Sequence, residues 1–196
     1  MDLLFATQNK NKSKELKELL LSYQYNVLDL NDIGVNISIE ETGATLHENA
    51  QIKAEFLYNL TKSIVLSEDS GLEVDILKGR PGVRSARYAG EKRSDMENMI
   101  KVLDELSGEK NREAQFRTVI ALYDGQTCLY FEGIVRGNIA VAPKGNSGFG
   151  YDPIFIPDEY SQTFAELSSD EKNKISHRGK AVEKLLIYLK EKRYQE

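Results

Sequence analysis

Three observations predict an α/β fold built on a mixed β-sheet. An apolar strand at residues 3–6 runs into a polar loop and then a helix. Strand-like and helix-like segments go on alternating after it. Residues 115–123 and 127–135 then flank Asp124-Gly125, the strongest hairpin signal in the chain. An antiparallel hairpin among strand–helix units makes the expected sheet mixed rather than parallel. With 196 residues the chain can bury one sizeable core, as a single domain or as two close-packed lobes.

Leu3, Leu4, Phe5 and Ala6 form the first strand. Leu16, Leu19 and Leu20 follow at helical spacing with Lys14, Glu15, Lys17 and Glu18 outside, so a helix begins near Ser13 or slightly before. Between strand and helix stand Thr7, Gln8, Asn9, Lys10, Asn11 and Lys12. Open N–H groups and a positive dipole end, dressed with lysines, suit a phosphate in chemical type. The glycine spacing of a P-loop is absent, and a capped surface helix with solvated lysines fits the same residues. Residues 25–30 read as a second strand, and 35–39 as an extended segment ending in Glu40-Glu41-Thr42-Gly43. Thr45 with Glu48 makes a capping box, opening a helix with Leu46, Ala50, Ala54 and Leu57 along one face. The paired glutamates either favour that helix dipole or offer the oxygen ligands that Mg²⁺ takes.

Residues 64–71, Ile-Val-Leu-Ser-Glu-Asp-Ser-Gly, read as a buried strand stopping in two carboxylates, a hydroxyl and a glycine. Ligands collect where strands of open α/β sheets end, so Asp69 is the first candidate for chemistry; a solvated strand end is the plain alternative. Beyond Gly71, Leu72, Val74 and Ile76 alternate with Glu73 and Asp75 in a half-buried strand that closes at 78–82. Residues 83–90 read as a loop carrying Arg84, Arg87 and Tyr88. Ser94 and Glu97 form another capping box, and Met96, Ile100, Leu103 and Leu106 the apolar stripe of a helix ending at Ser107-Gly108. Gly145, Gly148 and Gly150 frame Phe149, Tyr151 and Asp152, where aromatics could stack on a base, or where a tight turn precedes the apolar run 154–156. After a short element at 163–167, a polar run from Ser169 carries Lys172. Ser176-His177-Arg178-Gly179 then leads into a last helix with Ala181, Leu185 and Leu189 on one face.

The formal net charge of −5 leaves no global basic field for a nucleic-acid polymer. Cys128 is the only cysteine, which excludes an intramolecular disulfide and a Cys-rich metal site and fits a reducing compartment. No apolar run approaches a membrane span and no signal core opens the chain, so no membrane partner is expected and the cytoplasm is the expected location.

As an ordered set these stretches resemble the nonstandard purine nucleoside triphosphate pyrophosphatases, also called inosine triphosphate pyrophosphatases. The set runs from Thr7–Lys12 with Glu15, through Glu40-Glu41-Thr42-Gly43, Ser67-Glu68-Asp69-Ser70-Gly71-Leu72, Pro81-Gly82 and Ser85-Ala86-Arg87-Tyr88. It closes with Gly148-Phe149-Gly150-Tyr151-Asp152-Pro153, Lys172 and Ser176-His177-Arg178. The resemblance implies a homodimeric α/β protein with an elongated mixed β-sheet, flanking helices and two lobes around a central cleft. Residues 1–196 would form one such domain. It also implies Mg²⁺-dependent hydrolysis of ITP, dITP and XTP to the monophosphate and pyrophosphate. By position, Thr7, Gln8, Asn9, Lys10, Asn11 and Lys12 resemble the triphosphate loop. Asp69 resembles the general base and metal carboxylate, Glu40 or Glu41 a second metal ligand, and Ser70 a substrate contact. Phe149, Gly150, Tyr151, Asp152, Lys172, His177 and Arg178 resemble the base-recognition set. Glu68 stands where the family commonly has aspartate.

Overall fold

The computed structural model describes residues 2–193 apart from Ser22 and Gln24, with Arg193 described by its backbone only. In chain order come β1 (Asp2–Phe5), α1 (Lys10–Leu21), β2 (Asn26–Asp29), α2 (Leu46–Thr61), β3 (Val65–Val74) and a 3₁₀ segment, Gly82–Arg87. Next are α3 (Asp95–Glu105), β4 (Glu113–Tyr123), β5 (Cys128–Ile139), a 3₁₀ turn at Asp152–Ile154, β6 (Phe155–Pro157), α4 (Ser169–Ile175) and α5 (His177–Arg193). The strands form one sheet in the order β2-β1-β3-β4-β5-β6. β1 runs parallel to β2 and β3, and β5 antiparallel to β6. A short turn joins the neighbouring strands β4 and β5, where the Asp124 carboxylate accepts the N–H groups of Gln126 and Thr127; only an antiparallel pair permits so short a connection. The sheet is therefore mixed.

The chain divides into two compact units, each with its own apolar core. The first comprises Met1–Asp69, Thr118–Gly133 and Arg178–Glu196. Its core gathers Leu3, Phe5, Leu16, Leu20, Leu66, Ile120 and Leu185. α1 starts three residues before Ser13 because Asn9 caps it: the Asn9 carboxamide oxygen accepts from the N–H groups of Asn11 at 3.0 Å and Lys12 at 3.1 Å. α2 opens with the expected capping box of Thr45 and Glu48. Besides Leu46, Ala50, Ala54 and Leu57, it buries Asn49 and Lys53. Residues 35–39 lie in neither helix nor strand.

The second unit comprises Ser70–Arg117 and Ile134–His177, around Leu72, Val74, Phe116, Ile154, Phe155, Phe164 and Leu167. Two expectations fail here for tertiary reasons. β3 does not stop at the acidic residues but continues through Gly71 to Val74. A Cβ on Gly71 would lie 2.4 Å from the Gly82 carbonyl oxygen, so the missing side chain admits a close neighbour and marks no turn. Leu72 and Val74, both fully buried, carry the strand onward. The stripe assigned to α3 holds in its second half, where Leu103 and Leu106 pack on the core, but not in its first: Met96 and Ile100 are 62% and 48% exposed, while Asn98, Met99 and Val102 face inward. Asn98 sets this phase by accepting from the Ala89 N–H and donating to the Ala86 carbonyl. Residues 83–90, expected as a loop, are largely the 3₁₀ segment, and 163–167 contains only a turn. The polar run at Ser169 is α4, opened by a capping box of Ser168 and Glu171.

Candidate active site

β3 carries Ser67, Glu68 and Asp69 at 0%, 2% and 6% exposure, which settles the choice between buried and solvated carboxylates. Unpaired, such charges would be very costly, and α2 supplies the partners of Asp69. Its Asn49 and Lys53, one turn apart, face the strand: Asn49 Nδ2 donates to Asp69 Oδ2 at 3.2 Å and Lys53 Nζ to Asp69 Oδ1 at 2.9 Å. The same ammonium donates to Glu41 Oε1 at 2.7 Å. Burial penalises the Lys53 charge, but attraction to Asp69 and then Glu41 outweighs it and raises the pKa above the ordinary lysine value. Glu40 remains exposed, so of the two candidate glutamates Glu41 is the one that shares the Lys53 ammonium with Asp69. Ser70, next along β3, is half-buried.

Glu68 has a different set of partners. Arg178, at the start of α5 and 1% exposed, grips it with two bonds, Nε to Oε2 at 2.8 Å and Nη2 to Oε1 at 2.7 Å, the bidentate geometry that suits arginine. The remaining Nη1 bonds Glu15 on α1. Burial works against this guanidinium, yet Glu68 and Glu15 together hold its pKa above the usual arginine range. Lys12 reaches Glu68 Oε1 at 3.5 Å; burial lowers its pKa and Glu68 only partly opposes that. In the rest of the loop, Thr7 is half-buried and accepts the Asn9 N–H, while Gln8, Asn9, Lys10 and Asn11 are exposed around the N-terminus of α1. Behind it the Ser13 hydroxyl donates to Asp29 at the end of β2. Burial of Asp29 opposes ionisation, but the Ser13, Asp32 and Lys17 donors lower its pKa from 3.8 to about 2.

The second unit assembles the other predicted groups. Lys172 Nζ donates to Asp152 Oδ2 at 2.7 Å and lies 5.2 Å from the Phe149 ring centroid. Asp152 Oδ2 also accepts the Phe149 N–H at 2.9 Å. A Cβ on Gly148, at φ 75, would fall 2.1 Å from that oxygen, so only glycine leaves room for the pair. His177 stacks on Phe116 with centroids 4.6 Å apart. The buried Tyr151 hydroxyl donates to the Ser85 carbonyl, and burial raises its pKa well above the ordinary tyrosine value. Phe149 and Gly150 remain half-buried. The structure thus gathers Phe149, Gly150, Tyr151, Asp152, Lys172 and His177 in one unit, whereas Arg178 is committed to Glu68 and Glu15 in the other.

Among the described residues no three His, Cys, Asp or Glu side chains gather where they could hold a metal ion. Mg²⁺ bound largely through substrate phosphates needs only one or two carboxylates. Asp69 and Glu41, hydrogen-bonded to one ammonium, are hard oxygen donors of that kind, so the residues present fit the ion. The sequence reading missed Asn49 and Lys53. Their signal was two polar residues at i and i+4 on a helix face otherwise filled by Ala50, Ala54 and Leu57.

The model of the Ham1 family matches residues 3–188. A protein of Bacillus licheniformis named dITP/XTP pyrophosphatase is 49% identical over 191 residues, 96% of this chain and 97% of that one. Its namesake in Bacillus subtilis is 50% identical over 187 residues, 94% of each chain. The solved structure of the Staphylococcus aureus Ham1 protein is similar at a TM-score of 0.88 and 38% identity, over 98% of this chain and 100% of that chain. With matches of this extent, the chain belongs to the Ham1 family.

Proposed function

We propose that the chain is an Mg²⁺-dependent pyrophosphatase that hydrolyses ITP, dITP and XTP at the α–β phosphoanhydride, releasing the monophosphate and pyrophosphate. The observation that carries this reading is the buried Asp69, held by Asn49 and Lys53 beside Glu41. The name dITP/XTP pyrophosphatase on relatives of nearly equal length supports it.

Lys10, Lys12 and the open N–H groups of α1 hold the phosphates. Asp69 orients a water molecule and accepts its proton, a role that requires an oxygen fixed in place by its neighbours. Asp69 and Glu41 would hold Mg²⁺, which when bound neutralises phosphate charge and polarises the anhydride. Among the described residues Asp69 is bonded by Asn49 and Lys53 and not by a hydroxyl or thiol that it could activate, so the attack is assigned to water. Phe149 stacks on the purine, and Lys172 and His177 offer donors to the carbonyl at position 6 of hypoxanthine or xanthine. Adenine presents an amino group there, and facing donors disfavour ATP by about 1–3 kcal/mol. Arg178, with its fork on Glu68 and Glu15, acts by fixing the strand that carries Asp69.

A panel of ITP, XTP, dITP, GTP, ATP and dUTP with Mg²⁺ tests the assignment. Preferred turnover of the first three is expected, and equal turnover of ATP would overturn the base selectivity. From the family resemblance we extend the proposal to a cytoplasmic homodimer; no described helix is long and apolar enough to cross a membrane. Sedimentation equilibrium reporting the mass of a single chain would remove the dimer.

A further inference from the structure

α3 turns a polar edge, not its Met96–Ile100 stripe, toward the loops around it. Asn98 holds Ala86 and Ala89. One turn earlier, the Oδ2 of Asp95 accepts the N–H of Gly150 at 2.7 Å. Gly150 is the centre of the Phe149–Tyr151 segment, whose flanks are tied elsewhere: the Phe149 N–H to Asp152 at 2.9 Å and the Tyr151 hydroxyl to the Ser85 carbonyl at 2.8 Å. Three consecutive residues thus have three separate anchors. Of these three, the Asp95 anchor is supplied by α3, which carries none of the predicted site residues.

We propose that Asp95 is a positioning residue for base recognition: its carboxylate fixes the Gly150 peptide and thereby the angle at which the Phe149 ring meets the purine. The inference rests on reading this segment as base-binding. Acting through the Gly150 peptide, Asp95 should on its loss weaken binding and base discrimination and leave the chemical step intact.

The test compares Asp95→Ala and Asp95→Asn in steady-state kinetics with ITP and ATP, together with amide hydrogen exchange at Gly150. For Asp95→Ala, KM for ITP should rise about five- to tenfold, as expected for a lost charge-assisted hydrogen bond, with kcat changed less than about twofold. The preference for ITP over ATP should fall, and Gly150 exchange should accelerate. Both variants remove a negative charge from the start of α3, but asparagine still offers an accepting oxygen. Rescue by Asp95→Asn to within about threefold of the parent KM therefore separates the loop anchor from the helix dipole. A fall in kcat at unchanged KM, unchanged Gly150 exchange in Asp95→Ala, or no rescue by asparagine would overturn the proposal. If the parent protein fails to turn over ITP, the functional reading fails, and the exchange result alone then decides whether Asp95 anchors the loop.

Discussion

At the scale of the residue, the chemistry depends on how each buried charge is compensated. Asp69 and Glu68 are adjacent on β3, point to opposite faces and receive opposite treatment. Glu68 is locked by a two-bonded guanidinium, while Asp69 is held by an amide and an ammonium. Asp69→Asn should preserve folding and ITP binding while reducing kcat at least about a hundredfold, the range for loss of a general base. Single-turnover rates check this, and a near-normal rate would remove Asp69 from the mechanism. Asp29 makes a second prediction. Its folded pKa of about 2 lies below the ordinary 3.8, so it adds about 2 kcal/mol of stability above pH 4, lost as pH falls through about 4 to 2. Urea unfolding should therefore show the gap between the parent protein and Asp29→Asn narrowing from about pH 5 to about pH 3. A gap independent of pH would contradict the Ser13–Asp29–Lys17 network.

At the scale of the element, local signals were legible and tertiary ones were not. The strand–loop–helix opening, the capping box of α2 and the Asp124-Gly125 turn are specified within a few residues, and each formed where the sequence places it. Gly71 was read as a stop because glycine breaks strands; its reason is the Gly82 carbonyl, eleven positions away in the chain. The first half of the α3 stripe was misread: Asn98 turns inward to satisfy two backbone groups, with Met99 and Val102 buried beside it, while Leu103 and Leu106 pack as expected. Lysine on a helix ordinarily reads as solvated, so Lys53 gave no warning until Asp69 and Glu41 were seen around it. Gly71→Ala should be destabilising by about 1–3 kcal/mol through overpacking, measured by guanidinium unfolding; unchanged stability would mean that the strand and the 3₁₀ segment can separate without cost.

At the scale of the whole molecule, two cores serve two kinds of group. The first unit holds the bonded carboxylates Asp69, Glu41 and Glu68 with Lys12 and Lys53, and the second Phe149, Asp152, Lys172 and His177; under the proposed function the triphosphate is assigned to the first set and the purine to the second. The chain passes between them four times: within β3 between Asp69 and Ser70, within β4 between Arg117 and Thr118, within β5 between Gly133 and Ile134, and between His177 and Arg178. Family membership was legible because the motifs recur in order along nearly the whole chain, although no single motif names the reaction. That Glu41 rather than Glu40 bonds Lys53, and that Arg178 bonds Glu68 while Lys172 bonds Asp152, depends on side-chain geometry that spacing does not determine. The central claim, that Asp69 directs water to the α-phosphate, is tested most directly by hydrolysing ITP with Mg²⁺ in ¹⁸O-labelled water and locating the label by mass spectrometry. The account predicts one labelled oxygen in the monophosphate and none in the pyrophosphate; label in pyrophosphate, or release of orthophosphate, would contradict it.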